Sequence, residues 1–104
     1  MKHLSITLGF DMRAPDWGTP RDELYQAAVE MAAYADQIGV TSINLMERHG
    51  SEDGYLPQPF LLGSAMAAVT KKVRFTLGAV LLPLHDPRTG AEQVAVIDLI
   101  SGGR

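Results

Sequence analysis

The chain has 104 residues, fewer than an average domain, so a multidomain reading is excluded and one modest core is expected. Hydrophobic residues make up 46% and charged residues 20%, which excludes disordered and collagen-like chains. Nine Lys and Arg against twelve Asp and Glu leave a formal charge of −3, the wrong sign for gripping a nucleic-acid backbone, and zero Cys removes disulfides and thiolate metal sites.

Met1 to Thr7 lacks the uninterrupted apolar stretch of a signal peptide, and nowhere do about eighteen apolar residues run together. A cytoplasmic protein without membrane contact is the expectation. Leu4 to Phe10 alternates apolar and small polar residues and reads as a strand. After a Gly, Pro and Asp-rich loop, Thr19 is placed to cap a helix that Pro20 opens, and Asp22 and Glu23 suit its positive end. Leu24, Ala28, Met31, Ala35 and Ile38 recur at helical steps and predict the buried face of a helix over 20–38, which Gly39 stops.

Val40 to Met46 predicts a second strand, Glu47 to Pro57 a loop, and Pro59 to Thr70 a helix so apolar that other elements must cover more than one side. Lys71, Lys72 and Arg74 follow it and are expected to complement its negative end. Val73 to Leu82 predicts a third strand, whose continuous apolar end suits a parallel sheet covered on both faces. A third helix runs from Arg88 to Ser101 and is closed by Gly102 and Gly103. Three βα units at a repeat of about thirty-odd residues make the class α/β with a parallel sheet. Either a small doubly wound sheet or three of the eight units of a (βα)8 barrel fits. A closed barrel needs about 250 residues, which favours a barrel cut before its fourth strand.

In βα folds the chemistry collects where strands end. The first strand delivers Phe10, Asp11 and Arg13; the second delivers Glu47, Arg48 and His49 in a row. In an extended chain Glu47 and His49 project to one side and Arg48 to the other, which makes a carboxylate and imidazole pair suited to acid–base work. A solvated salt bridge is the alternative. Gly78-Ala79 near the end of the third strand marks either a bulge or a close approach of a ligand. His85-Asp86-Pro87 reads as a turn into the third helix and Glu92 as a match to its dipole, both structural. No G-x-G-x-x-G or Walker sequence occurs, and His3, His49 and His85 lack metal-ligand spacing, so no metal is expected.

Three segments together resemble a known family: Leu45 to Pro57 (LMERHGSEDGYLP), Gly78 to Pro83 (GAVLLP) with Asp86-Pro87 and Ala91-Glu92-Gln93, and Asp98 to Arg104 (DLISGGR). The chain resembles the N-terminal part of the bacterial luciferase-like monooxygenases, over nearly its whole length. The resemblance implies a (βα)8 barrel about three times longer that binds FMN or, in some branches, a deazaflavin at the strand ends. It implies a single domain over 1–104 that is one part of such a barrel. It also implies that the intact enzyme oxidises a small organic substrate, with reduced flavin and oxygen, as a homodimer.

By the same resemblance Glu47 is the acidic residue near the flavin ring, and Gly78-Ala79 is a bulge with a non-proline cis peptide against that ring. The family pattern Glu-His-His reads Glu47-Arg48-His49 here. Arg cannot accept a proton, so the proton-transfer role is expected of His49, with Glu47 beside it. Arg48, Asp11 and Phe10 are expected to contact substrate or an anionic group. Because the resemblance places much of the phosphate grip on later strands, this piece alone is expected to bind flavin poorly and to be inactive. The rival readings are a non-catalytic fragment that pairs through open sheet edges and a small complete α/β binding module.

Overall fold

The computed structural model describes residues 3–104; Met1 and Lys2, the start of the segment read above for a signal peptide, lie outside the described residues. Strands β1 (Thr7–Phe10), β2 (Ser42–Leu45) and β3 (Arg74–Leu77) form one parallel sheet in that order. Thr7 pairs with Ser42 and Ser42 with Arg74; Phe10 pairs with Leu45 and Leu45 with Leu77. Helices α1 (Arg21–Ile38), α2 (Pro59–Ala68) and α3 (Pro87–Ser101) each follow one strand. Parallel pairing requires these crossovers, and it brings the carboxyl ends of all three strands to one rim.

The core lies between the sheet and the first two helices. Ile43, Leu45, Leu56, Met66 and Val73 are almost wholly buried, and a side chain of this size stabilises by about 1.5–3 kcal/mol when fully removed from water. The buried face of α1 differs from the expected stripe: Ala28, Ala32, Ala35 and Asp36 are buried, whereas Met31 and Ile38 are exposed. Small residues therefore make the close contact, and the larger apolar ones flank it. α1 also begins one residue later than expected. Pro20 has ψ 139, an extended value, so it stands outside the helix, and no side chain caps that end, Thr19 included.

β3 ends five residues earlier than expected. The peptide between Gly78 and Ala79 is cis, and the chain leaves the sheet there. Leu82–Leu84 forms a 3-10 turn instead of strand, so that apolar run belongs to a loop. α3 starts as expected apart from one residue, with the Asp86 side chain accepting the Thr89 N–H at 2.9 Å and Gly102 closing it at φ 68.

The turn between α2 and β3 corrects another expectation. Lys71 and Lys72 contribute their backbone N–H groups, and both bind the Asp36 carboxylate on α1, at 2.9 and 2.7 Å. Arg104 instead covers the negative end of α2, donating to the carbonyls of Ala67 and Thr70 at 3.1 and 2.9 Å and to Thr70 Oγ1 at 2.8 Å. Its guanidinium also lies over the Phe75 ring, 5.6 Å from the centroid. As expected, α2 is covered from two sides, by α1 and α3, though Leu61 and Val69 stay exposed.

Candidate active site at the carboxyl ends of the strands

Where β2 ends, the alternation of an extended chain decides which side chains turn inward. Glu47 is buried, with none of its side chain exposed, and Arg48 points away, its guanidinium 4.8 Å from the centroid of the Tyr55 ring. His49 returns to the side of Glu47, and its Nε2 lies 2.6 Å from Glu47 Oε1. The expected carboxylate–imidazole pair is therefore formed.

The pair has a third member that the sequence did not reveal. His85, 38 residues away, places Nε2 at 2.8 and 3.0 Å from the two oxygens of Glu47. Its ring meets Phe60 edge-on at 5.7 Å and borders an apolar cavity of about 470 Å³ with Leu77, Val80 and Val94. The Leu81 N–H completes the set, donating to Glu47 Oε2 at 2.8 Å. Burial pushes the Glu47 carboxyl up, but the bonds from His49, Leu81 and His85 outweigh it and hold the group below the usual carboxylate range.

An ionised carboxylate only accepts hydrogen bonds, so Nε2 carries the proton in both imidazoles and Nδ1 is left as the acceptor in the neutral rings. Three donors thus serve the two oxygens of Glu47, with the His85 N–H shared between them.

The cis peptide adjoins this cluster. Gly78 N–H donates to the Leu45 carbonyl at 2.9 Å, three residues before Leu81 reaches Glu47. Both Gly78 and Ala79 are exposed on the rim. A Cβ on Gly78 would come within 2.8 Å of Asn44 Oδ1, so a side chain here would require Asn44 to shift.

The remaining expected site residues lie apart. Phe10 is buried in the core, and Asp11 accepts from Arg13 Nε at 2.8 Å. The Asp11 carbonyl accepts the Leu56 N–H at 2.8 Å, and the Asp53 carbonyl accepts the Ala14 N–H at 2.7 Å, which zips the loops after β1 and β2 together. Among the described residues no group of three or more His, Asp or Glu is arranged to hold a metal ion, and no helix is long and apolar enough to cross a membrane.

Parallel βα units with ionisable side chains gathered where the strands end are the architecture of a (βα)8-barrel enzyme. The profile of the luciferase-like monooxygenases matches residues 8–104, and the chain belongs to that family. It is 35% identical over 82 residues to the oxygenase component of a flavin-dependent trigonelline monooxygenase from Acinetobacter baylyi, covering 79% of this chain and 23% of that protein. Against the alkanal monooxygenase alpha chain of Photorhabdus laumondii it is 28% identical, with the same two coverages of 79% and 23%.

Among solved structures, monooxygenase RslO1 from Streptomyces bottropensis superposes with a TM-score of 0.89 at 27% identity, over 97% of this chain and 31% of that one. The oxygenating constituent of 3,6-diketocamphane monooxygenase from Pseudomonas putida, in complex with FMN, gives 0.83 at 26%, over 95% and 27%. The chain thus holds three βα units of a luciferase-like barrel and spans 23% of the length of the curated relatives named.

Proposed function

We propose that this chain forms the part of a flavin-dependent monooxygenase that carries the proton-handling side chains and one face of the flavin site. The single observation that carries the reading is the buried Glu47 carboxylate gathering His49 and His85 at the carboxyl end of the sheet, beside the exposed Gly78 and Ala79. FMN is the favoured cofactor because one of the similar solved structures is an FMN complex. A deazaflavin is the alternative. Within this reading, which rests on the family resemblance, the enzyme is a cytoplasmic homodimer acting on a small organic molecule.

The donor set supports a ring and not a phosphate. A flat, exposed backbone with no Cβ at Gly78 suits the face of a planar heterocycle. Arg13 is paired with Asp11, Arg48 lies on Tyr55, and Arg21 donates to the Glu52 carbonyl at 2.9 Å, so these cations are engaged elsewhere. When bound and reduced, flavin supplies the electrons with which dioxygen oxidises a substrate. The chain's own part is to present Gly78 and Ala79 to the ring and to hold His49, whose Nδ1 is free to take or return a proton. Arg48, permanently charged, can attract an anionic substrate group but cannot serve as a base.

The test uses the product of the complete reading frame that encodes this chain. Titration with FMN and with a deazaflavin, followed by flavin fluorescence, is expected to give saturable binding of FMN, and reduced FMN is expected to drive oxygen uptake. Saturable binding of the deazaflavin alone would reassign the cofactor, and indifference to both would remove the reading.

A further inference from the structure

We propose that Glu47 is a positioning residue which, together with His85, clasps the Gly78–Leu81 segment onto the end of β2 and fixes the tautomer of His49. This deepens the flavin reading above and rests on it for its functional meaning. The geometry itself does not depend on the cofactor.

The loop after β3 is pinned to the end of β2 at three successive points. Gly78 N–H binds the Leu45 carbonyl at 2.9 Å, Leu81 N–H binds Glu47 Oε2 at 2.8 Å, and His85 Nε2 binds both Glu47 oxygens at 2.8 and 3.0 Å. The 3-10 turn Leu82–Leu84 sets the distance between the last two pins. Two of the three therefore end on one carboxylate, which is itself fixed by burial. With three donors on its two oxygens and none of its side chain exposed, the carboxylate is not open to a substrate proton, so Glu47 acts through its partners. His49 is the half-exposed partner and faces outward; His85, only 13% exposed at the side chain and wedged against Phe60, is the inner one. The division of labour follows: His85 anchors, His49 exchanges protons, and Glu47 holds both rings with Nε2–H toward itself.

The test is made on the 15N-labelled product of the complete reading frame that encodes this chain, with flavin left out. Long-range proton–nitrogen spectra are expected to show the Nε2–H tautomer at both His49 and His85. In His85→Ala, hydrogen exchange at the Leu81 amide is expected to rise about tenfold or more, since a pin beside a charge-assisted bond is lost. His85→Gln, whose amide can still donate, is expected to restore most of the protection. A merely space-filling role for His85 would not show that rescue. Glu47→Gln is expected to release the His49 tautomer, and if that variant does not fold the His85 pair carries the test. Wild-type exchange at Leu81 in His85→Ala would overturn the proposal, as would an unchanged His49 tautomer in a folded Glu47→Gln. A wild-type chain that shows the clasp, in a full-length protein that ignores flavin, would sink the cofactor reading and leave the clasp supported.

Discussion

The Asp36 carboxylate on α1 accepts the Val73 N–H at 2.7 Å, at the residue that leads into β3. The same carboxylate takes the N–H groups of Lys71 and Lys72, so one buried side chain of the first unit closes the turn of the second. Asp36→Ala leaves the buried Val73 N–H without a partner and strips the part-buried N–H groups of Lys71 and Lys72 of theirs; an unsatisfied buried group costs about 1–3 kcal/mol. The urea midpoint of Asp36→Ala is expected to fall by an amount equal to at least about 2 kcal/mol of stability. A loss under about 0.5 kcal/mol would mean that water takes over the role.

Acid should weaken the fold through the same carboxylate and through Glu47. Burial pushes Asp36 up, but the N–H groups of Val73, Lys71 and Lys72 and the charge of Arg104 hold it below its ordinary range, as the partners of Glu47 do for that residue. A carboxyl with a folded pKa below its unfolded value stabilises fully above the unfolded value, about 3.9 for Asp and 4.3 for Glu. That stabilisation is lost as pH falls through the lower folded value. The urea midpoint is therefore expected to be level between about pH 5 and 7 with respect to these groups and to drop below about pH 4. Asp36→Asn should flatten the acid limb, and an identical limb in that variant would refute the assignment.

The residues legible from sequence were those whose partners lie close along the chain. Glu47 and His49 are two positions apart, and strand alternation alone puts them together. His85 reaches the same carboxylate from 38 residues away, and a His in a turn before a Pro carries no local sign of that contact. Asp36 was likewise invisible, a polar residue next to buried Ala35 whose partners are backbone atoms of another unit. Val80, Leu81 and Leu82 misled because an apolar run reads equally as strand or as a loop packed on the rim. The three βα units were plain from the repeat, the Gly stops and the Pro starts, since those are local signals.

Gly78 and Asn44 occupy neighbouring positions at the ends of β3 and β2, and a Cβ on Gly78 would sit 2.8 Å from Asn44 Oδ1. Because the obstacle is the end of a side chain, the clash can be relieved by removing it. Gly78→Ala is expected to lower stability more in the native background than in Asn44→Ala, with a coupling of about 1 kcal/mol in the double-mutant cycle. Strict additivity would show that Asn44 moves aside freely.

Arg104 gathers the carboxyl end of α2, the start of β3 and the end of α3 with one guanidinium. Beyond the Ala67 and Thr70 carbonyls it reaches the Val73 carbonyl at 3.1 Å, and its Nε donates to the Ser101 carbonyl at 2.6 Å. The planar fork serves these acceptors at once, which a single ammonium on a flexible stem cannot do. Arg104→Lys keeps the charge and the favourable sign at the end of the helix, so an effect arising from the dipole would survive it. A geometric effect would not. Arg104→Lys is therefore expected to lose most of the stability that Arg104→Ala loses, about 1–3 kcal/mol for the set of bonds. Thermal unfolding of the two variants side by side decides the matter: a lysine variant as stable as the native chain would assign the contact to charge alone.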